Sequence, residues 1–324
     1  MNEIDYIGNL LNSVLDQDYP NEYTEIIVVD GMSNDGTNEY LKNLKINNLL
    51  ILENEARYVS NAMNIGIKNC IGDIIIRMDV HSTYPRNYIS TLVNHLIDFP
   101  EIGNVGVPCK TLPANNSRVS RAISFALSSP LGVGNSYFRT TIPLNYKSVD
   151  TVPFGCWRKE IFQKVGLFDE ELIRNQDDEL NQRIIKAGMK IHLLPGPSVK
   201  YYGRKDFKSH AKMFYQYGLF KPIVNKKIGK ITTLRQLAPL MLILYFLFSL
   251  LVLFFSLKIF LILIGLVFSG YFLSSFIYII STSNNLGLIF HFIASIFLAH
   301  ISYGFGYIKS LILRSVNKNL SISR

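Results

Sequence analysis

Hydrophobic and polar positions follow two different patterns along the chain. Up to about Arg235, short apolar runs rich in Ile and Val are separated by polar stretches rich in Gly, Asn, Asp and Pro. Such short runs are typical of buried parallel strands. They predict strands over Glu25–Asp30, Leu49–Leu52, Ile74–Asp79 and Gly103–Pro108.

Segments with apolar residues at helical spacing lie between these predicted strands. They predict helices over Ile7–Leu15, around Tyr40 and Leu41, over Ser60–Asn69 and over Tyr88–Leu96. A chain in which strands and helices take turns is expected to form a sheet with crossover helices. The N-terminal part is therefore predicted to be of the α/β class.

Three long apolar stretches follow Arg235: Leu237–Leu257, Ile259–Ile280 and Leu286–Ile308. Each reaches the roughly 18–20 residues that a bilayer-spanning helix needs. We therefore expect a multi-pass protein of the plasma membrane. Residues Met1–Asp18 are polar and carry acids, unlike a signal peptide, so the α/β part is expected in the cytoplasm.

The net charge of +9 comes from 33 Lys and Arg against 24 Asp and Glu, and much of the excess precedes the first apolar stretch. Basic residues in this position favour the cytoplasmic face of a membrane and its anionic lipids. No nucleic-acid-binding motif accompanies them, so no nucleic-acid partner is expected. The residues are Lys205, Lys208, Lys212, Lys221, Lys226, Lys227, Lys230 and Arg235.

These patterns give domain boundaries. We expect an α/β domain over 1–204, a basic amphipathic segment at the membrane interface over 205–235, a membrane region over 236–310 and a basic tail over 311–324. Basic residues near the C-terminus favour a cytoplasmic tail, although three spans would place the tail outside. The number and orientation of the spans therefore stay open; the residues concerned are Lys309, Arg314, Lys318 and Arg324.

Three acidic clusters carry the candidate chemistry. Asp30 and Asp79 each close a predicted strand, and Asp177 lies in the later run Asn175–Leu180. Open α/β sheets bind ligands at the carboxyl ends of their strands. Carboxylates there suit a ribose, a divalent metal and a proton acceptor. Together these needs indicate an enzyme that handles a nucleotide-activated substrate with a diphosphate.

Five motifs in a fixed order resemble those of family 2 glycosyltransferases. They are Asn2-Glu3-x-x-x-Ile7, Val28-Val29-Asp30-Gly31-Met32-Ser33-Asn34-Asp35-Gly36-Thr37, Asp79-x-His81, Val165-Gly166-x-Phe168-Asp169-Glu170 and Asp177-x-Glu179-Leu180-x-x-Arg183. The resemblance covers about residues 1–225. The segments Arg77–Pro85 and Asp150–Gly155 are similar to the subgroup of succinoglycan-biosynthesis glucosyltransferases. The resemblance implies a GT-A fold, Rossmann-like with a mostly parallel sheet, followed by the transmembrane helices.

The resemblance also implies residues for the donor and the metal. Asp79 would bind a divalent metal and His81 would be a second ligand, which favours Mn²⁺ over Mg²⁺; alternatively, His81 only forms a hydrogen bond beside the metal. Asp30 would contact the uridine or its ribose, or else cap a turn. Arg57 and Asn64 would lie near the nucleotide, and a structural salt bridge is the alternative for Arg57.

For the acceptor side, the resemblance implies a general base at Asp177, with Asp178 as the alternative. An attacking hydroxyl must lose its proton, so such a base is needed within hydrogen-bond reach. Further acceptor-side residues are expected nearby, although core packing is the alternative for the tryptophan. They are Phe154, Gly155, Trp157, Glu179 and Arg183.

The function implied is inverting transfer of a hexose, most plausibly glucose from UDP-glucose. The acceptor would be a polyprenyl-diphosphate-linked saccharide in surface polysaccharide biosynthesis. A processive polysaccharide synthase and a transporter with a regulatory soluble part are alternatives. In the family an apolar strand precedes the block that here begins at Asn2. We expect either a start site further upstream or a truncated copy that only binds or scaffolds.

Overall fold

The computed structural model describes residues 1–134, 136–231, 233–283 and 285–315. The chain folds into two compact units. The first consists of residues 1–110 and 137–201, and the second of residues 111–136 and the chain from Tyr202 onward. Residues 111–136, which lie inside the expected domain 1–204, therefore pack with the C-terminal helices. The basic residues Lys318 and Arg324 of the expected tail lie outside the described residues.

Strands and helices are numbered in chain order within the described residues. The strands are β1 (Ile26–Asp30), β2 (Leu49–Glu53), β3 (Ile74–Ile76), β4 (Ser82–Thr83), β5 (Ile102–Gly106), β6 (Cys109–Leu112), β7 (Lys147–Ser148), β8 (Cys156–Arg158), β9 (Lys190–Leu193) and β10 (Val199–Tyr202). The helices are α1 (Ile4–Leu15), α2 (Thr37–Lys42), α3 (Val59–Asn69), α4 (Tyr88–Asp98), α5 (Arg118–Leu127), α6 (Pro130–Val133), α7 (Tyr137–Thr140), α8 (Glu160–Val165), α9 (Gln176–Lys186), α10 (Phe207–Ile228), α11 (Ala238–Leu253), α12 (Leu257–Thr282) and α13 (Ile289–Ser315).

The first unit confirms the α/β class but has a mixed sheet. β1 and β2 pair in parallel, and a separate sheet runs in the order β3–β8–β5–β9–β7. Only β5 and β9 are parallel there, because β8 runs antiparallel to both of its neighbours and β7 is antiparallel to β9. A third sheet has the order β4–β10–β6. The expected mostly parallel sheet is therefore corrected to a mixed one.

The main core of the first unit forms where predicted apolar faces meet. Leu92 and Leu96 of α4 are fully buried against Val105 of β5, and Leu11 of α1 joins the same cluster. The predicted strand Ile74–Asp79 is shorter than expected and ends at Ile76. Residues from Arg77 onward therefore leave the sheet at the edge where the acidic residues gather.

The second unit contains three helical segments that are long and apolar enough to cross a membrane. They are Leu234–Leu253, Leu257–Thr282 and Leu286–Leu313, with mean hydropathies of 2.3, 2.2 and 1.8. They confirm the three predicted apolar stretches by length and composition.

The long helix α10 lies within the predicted amphipathic segment 205–235. Its Phe214 and Leu219 are buried, and Phe214 shares a cluster with Ala299 of α13. A Cβ atom on Gly218 would lie 2.0 Å from the carbonyl oxygen of Tyr303, so glycine permits close contact of the two helices. The apolar side expected to lie on the membrane surface is thus covered by α13.

Candidate active site

One arginine joins two carboxylates that come from distant parts of the first unit. Arg77 and Asp79 follow β3, and Asp177 lies in the first turn of α9. Arg77 Nε and Nη2 donate to Asp79 Oδ1 and Oδ2 at 2.7 and 3.0 Å. Arg77 Nη1 donates to Asp177 Oδ1 and Oδ2 at 2.7 and 2.9 Å. A single guanidinium therefore fixes the separation of the two acids.

The electrostatics of this cluster combine burial with charge pairing. The Arg77 side chain is 10% exposed, whereas those of Asp79 and Asp177 are 35% and 34% exposed. Burial alone would lower the pKa of Arg77, but Asp177 and Asp79 hold that pKa above its ordinary value. Burial raises the pKa of Asp177, and Arg77 opposes this shift. The two acids therefore share a buried counter-charge yet keep part of their surface open.

A tight turn before β8 holds Arg77 in place. Phe154 and Gly155 have φ values of +62° and +90°, and Arg77 N donates to the Gly155 carbonyl oxygen at 3.1 Å. A Cβ atom at position 155 would lie 2.2 Å from the Trp157 ring, so only glycine fits. Trp157 is 2% exposed and packs against Phe162. Its burial fits the alternative of core packing, and its place on the acceptor side stays a prediction.

Asp30 closes β1 and forms a turn with Ser33. Its carboxylate accepts from Ser33 N at 2.8 Å and from Ser33 Oγ at 2.5 Å, and the residue is 4% exposed. Arg57 is exposed, and its Cα would lie 3.7 Å from a Cβ atom on Gly31. Within the described part of the chain no salt bridge involves Arg57. The turn-capping role of Asp30 is thus present, and an exposed cation lies beside it.

Asn64 is occupied by contacts within the protein. Its amide nitrogen donates to the Phe168 carbonyl oxygen at 2.9 Å and to Glu170 Oε1 at 2.8 Å. Its amide oxygen accepts from Phe168 N at 2.9 Å. Asn64 therefore ties α3 to the loop that precedes α9. Its expected contact with the nucleotide stays a prediction.

Glu179 and Arg183 form a second internal tie. Their side chains are joined by two hydrogen bonds of 2.8 Å across one turn of α9. Arg183 also donates to the carbonyl oxygens of Val165 and Leu167. These contacts hold the last turn of α9 against the end of α8 and the loop after it. The expected acceptor-side roles of Glu179 and Arg183 stay predictions. Asp178 lies beside Asp177 in the same turn and is half-buried.

His81 does not turn toward Asp79. Its Nε2 lies 3.2 Å from Glu3 Oε2, and its ring meets that of Tyr6 edge-on at 4.7 Å. Among the residues that the structure describes, no group of three or more His, Cys, Asp or Glu side chains can hold a metal alone. Asp79 fits the chemistry of a Mg²⁺ or Mn²⁺ ligand, since such ions take one or two carboxylates together with substrate phosphates. His81 would first have to leave Glu3.

The part of the chain that contains Arg77 and Asp79 matches a known protein family. The family model for glycosyl transferase family 2 matches residues 1–166. This chain belongs to that family. The glycosyltransferase is 32% identical to dolichyl N-acetyl-alpha-D-glucosaminyl phosphate 3-beta-D-2,3-diacetamido-2,3-dideoxy-beta-D-glucuronosyltransferase of Methanococcus voltae, over 70% of this chain and 72% of that protein.

A second relative supports the same family, and a solved structure shares the fold. The succinoglycan biosynthesis protein ExoA of Rhizobium meliloti is 31% identical to the glycosyltransferase over 66% of this chain. The match spans 65% of that relative, slightly under two thirds of its length. The crystal structure of S. aureus TarS 1-349 superposes with a TM-score of 0.50 at 16% identity, covering 98% of this chain and 89% of that one. This likeness concerns the fold alone.

Arg77 joins two acids of the candidate site, yet the sequence motifs indicate no role for it. It lies inside a motif that carried the resemblance, two positions before Asp79. The available signal was a cation at the end of an apolar strand, where a buried charge needs a partner. Its second partner, Asp177, lies too far along the chain for any local pattern to indicate the pair.

Proposed function

We propose that the glycosyltransferase moves one sugar from a UDP-sugar to a saccharide that is linked to a polyprenyl diphosphate. The observation that carries this proposal is the bridge by which Arg77 holds Asp79 and Asp177 side by side. Asp79 follows β3 and Asp177 lies in the first turn of α9, so the two acids reach the site from different elements. Membership of the family supports the transfer reaction.

Asp177 would act as the general base. Its carboxylate takes the proton of the attacking acceptor hydroxyl while the acceptor oxygen bonds to the anomeric carbon of the sugar. The bond from that carbon to the diphosphate oxygen breaks, and UDP leaves with the electron pair. A single displacement of this kind inverts the anomeric carbon. Asp178 is the alternative base.

The donor would bind between the ends of β1 and β3. Asp30 would accept a hydrogen bond from the ribose or the uracil, and exposed Arg57 would pair with an anionic group of the nucleotide. Asp79 would hold a divalent metal, Mn²⁺ or Mg²⁺, with His81 as a second ligand. The metal, when bound, neutralises the charge that develops on the leaving diphosphate. Arg77 would keep Asp79 in position for this role.

The acceptor and the location are inferred from the relatives and from the apolar helices. The name of the Methanococcus voltae relative specifies a dolichyl-linked sugar phosphate, and that of the Rhizobium meliloti relative specifies succinoglycan biosynthesis. The first name supports a lipid-borne acceptor, and the second supports a role in polysaccharide biosynthesis. Glucose from UDP-glucose is proposed as the donor because the motifs resemble those of the succinoglycan-biosynthesis glucosyltransferases. The three apolar segments would anchor the protein in the plasma membrane, with the first unit in the cytoplasm.

Product analysis tests this proposal. The full chain in phospholipid nanodiscs is incubated with Mn²⁺, a polyprenyl-diphosphate saccharide and each of a panel of UDP-sugars. We expect the acceptor to gain one sugar with inverted anomeric configuration, as read by mass spectrometry and NMR. A series of lengthening products would indicate a processive synthase. The absence of products with every donor, in a sample that stays folded, would overturn the proposal.

A further inference from the structure

The segment from Tyr137 to Ser148, here called the apolar loop, projects apolar side chains from the first unit. Leu144 is 96% exposed and Ile142 is 65% exposed, and Tyr137 and Tyr146 are exposed as well. Single exposed apolar residues are ordinary on a protein surface. Several within one short loop form a patch of the kind that marks an interaction site.

Both ends of the apolar loop are fixed to the first unit. Phe138 packs against the core, and the ring of Tyr146 stacks on that of His192 at 4.7 Å. Lys147 and Ser148 form β7, which pairs with β9. An anchored base therefore presents Ile142 and Leu144 to the outside, and both side chains are exposed.

Aromatic rings and cations alternate along the apolar loop. Lys147 Nζ lies 3.7 Å from the ring centroid of Tyr137, and the guanidinium carbon of Arg139 lies 5.2 Å from that of Tyr201. The sequence of the loop contains Arg139 and Lys147 but no Asp or Glu. Tyrosine favours the interface between membrane and water, and basic residues there attract anionic lipids. The basic residues and the apolar tip of the loop therefore both suit the surface of an anionic lipid bilayer.

We infer that the apolar loop inserts Ile142 and Leu144 into the headgroup region of an anionic lipid bilayer. The chain itself carries three segments able to cross a membrane, so a bilayer is the partner that accompanies the first unit at all times. The inference rests on the membrane anchorage in the proposed function. It adds a second, independent attachment, made by the unit that holds the candidate active site.

Depth-dependent fluorescence quenching tests this inference. The full chain carries Cys70→Ser, and the two remaining cysteines are buried. Single cysteines at Leu144, Ile71 or Phe268 are labelled with nitrobenzoxadiazole, and each protein is reconstituted in vesicles of phosphatidylcholine and phosphatidylglycerol. Ile71 is 85% exposed on the same unit and serves as the matched control. Phe268, inside an apolar segment, reports membrane insertion.

We expect nitroxide-labelled lipid to quench the labels at Leu144 and Phe268, and aqueous iodide to quench the label at Ile71. Quenching at Phe268 with a Leu144 label that behaves like that at Ile71 would overturn the apolar-loop inference alone. A Leu144 label shielded from both quenchers would also overturn it, because a second protein copy would then cover the loop. The absence of lipid quenching at Phe268 would contradict the membrane anchorage as well.

Vesicles without anionic lipid test the role of charge separately. In vesicles of phosphatidylcholine alone, we expect lipid quenching of the Leu144 label to decrease while that of the Phe268 label is unchanged. Equal quenching of Leu144 in both lipids would contradict the anionic preference. Because none of these readings needs sugar transfer, they separate this inference from the proposed catalytic activity.

Discussion

Arg77 and Asp177 are joined by hydrogen bonds of 2.7 and 2.9 Å although 100 positions separate them in the chain. Because the same guanidinium also binds both oxygens of Asp79, it connects the donor side of the candidate site to the acceptor side. A planar guanidinium can pair with two carboxylates at fixed geometry, which a lysine ammonium cannot do. We propose that this arrangement serves a nucleotide-sugar site.

Replacing the candidate base should stop transfer but not binding. We expect Asp177→Asn to lower kcat by about 10²–10⁴, the usual contribution of a general base, while calorimetric UDP affinity stays unchanged. Asp178→Asn, which removes a charge in the same helical turn, should keep most of the activity. If Asp178→Asn lowers kcat more than Asp177→Asn does, Asp178 is the general base. No effect of either change on any activity would favour a scaffold role.

Removing the bridging cation should destabilise the first unit. In Arg77→Gln the two carboxylates lose their shared counter-charge, and we expect the free energy of unfolding to fall by roughly 1–3 kcal/mol. This is less than for a fully buried pair, because both acids are partly exposed. Arg77→Lys should lie between the variant and the native protein. Denaturation of the three proteins under identical conditions checks this order, and equal stabilities would contradict it.

Gly155 should tolerate no side chain. In Gly155→Ala the new Cβ atom would meet the Trp157 ring at 2.2 Å, and φ is +90°. Gly188→Ala is the matched control, since Gly188 has φ +83° but nothing within 4 Å of the added atom. The control should lose about 1–2 kcal/mol from backbone strain alone. We expect Gly155→Ala to lose clearly more, and equal losses would show that the contact with Trp157 relaxes freely.

A histidine pair should make the stability of the first unit depend on pH. His95 Nε2 and His192 Nδ1 lie 3.0 Å apart. Burial lowers the pKa of both, and the charge of His95 further lowers that of His192. The unfolded histidines bind protons near pH 6.5, whereas the folded pair does so only at lower pH. The stabilisation is therefore complete above about pH 6.5 and is lost as pH falls through the lowered pKa values.

Thermal unfolding at pH 7.5 and 5.5 measures this dependence. The native protein should lose more stability between these values than the variant His95→Gln, which keeps only one of the two titrating rings. In the native protein Asp98 and Glu101 oppose the lowering of the His95 pKa. The pH dependence of stability that persists in the variant comes from His192 and the other titratable groups. Parallel pH profiles for the two proteins would rule out the pair as the cause.

Local patterns in the sequence were enough to place several elements. The predicted strands at Glu25–Asp30 and Leu49–Leu52 and the helix at Ser60–Asn69 are confirmed within one residue at each end. The three apolar stretches are confirmed as long helices. Each of these elements buries a regular face or is apolar throughout, so its period is visible without knowledge of its neighbours.

Features that depend on tertiary partners could not be predicted in this way. β8 has three residues, too few to show a period, and its direction makes the sheet mixed. The contact between His81 and Glu3 joins a loop to the residue that precedes the first helix. Asn64 and Trp157 have residue types that suit ligand contact, and only the surrounding structure shows that the protein itself uses their side chains.

Calorimetric titration of the full chain in detergent with UDP, with and without Mn²⁺, tests whether the site at Asp79 binds a nucleotide. UDP is chosen because the result does not depend on which sugar the enzyme transfers. We predict binding that requires Mn²⁺, is weakened by Asp79→Ala and is preserved in Asp177→Asn. A folded protein that binds no UDP under either condition would contradict the account of a nucleotide-sugar site at Asp79.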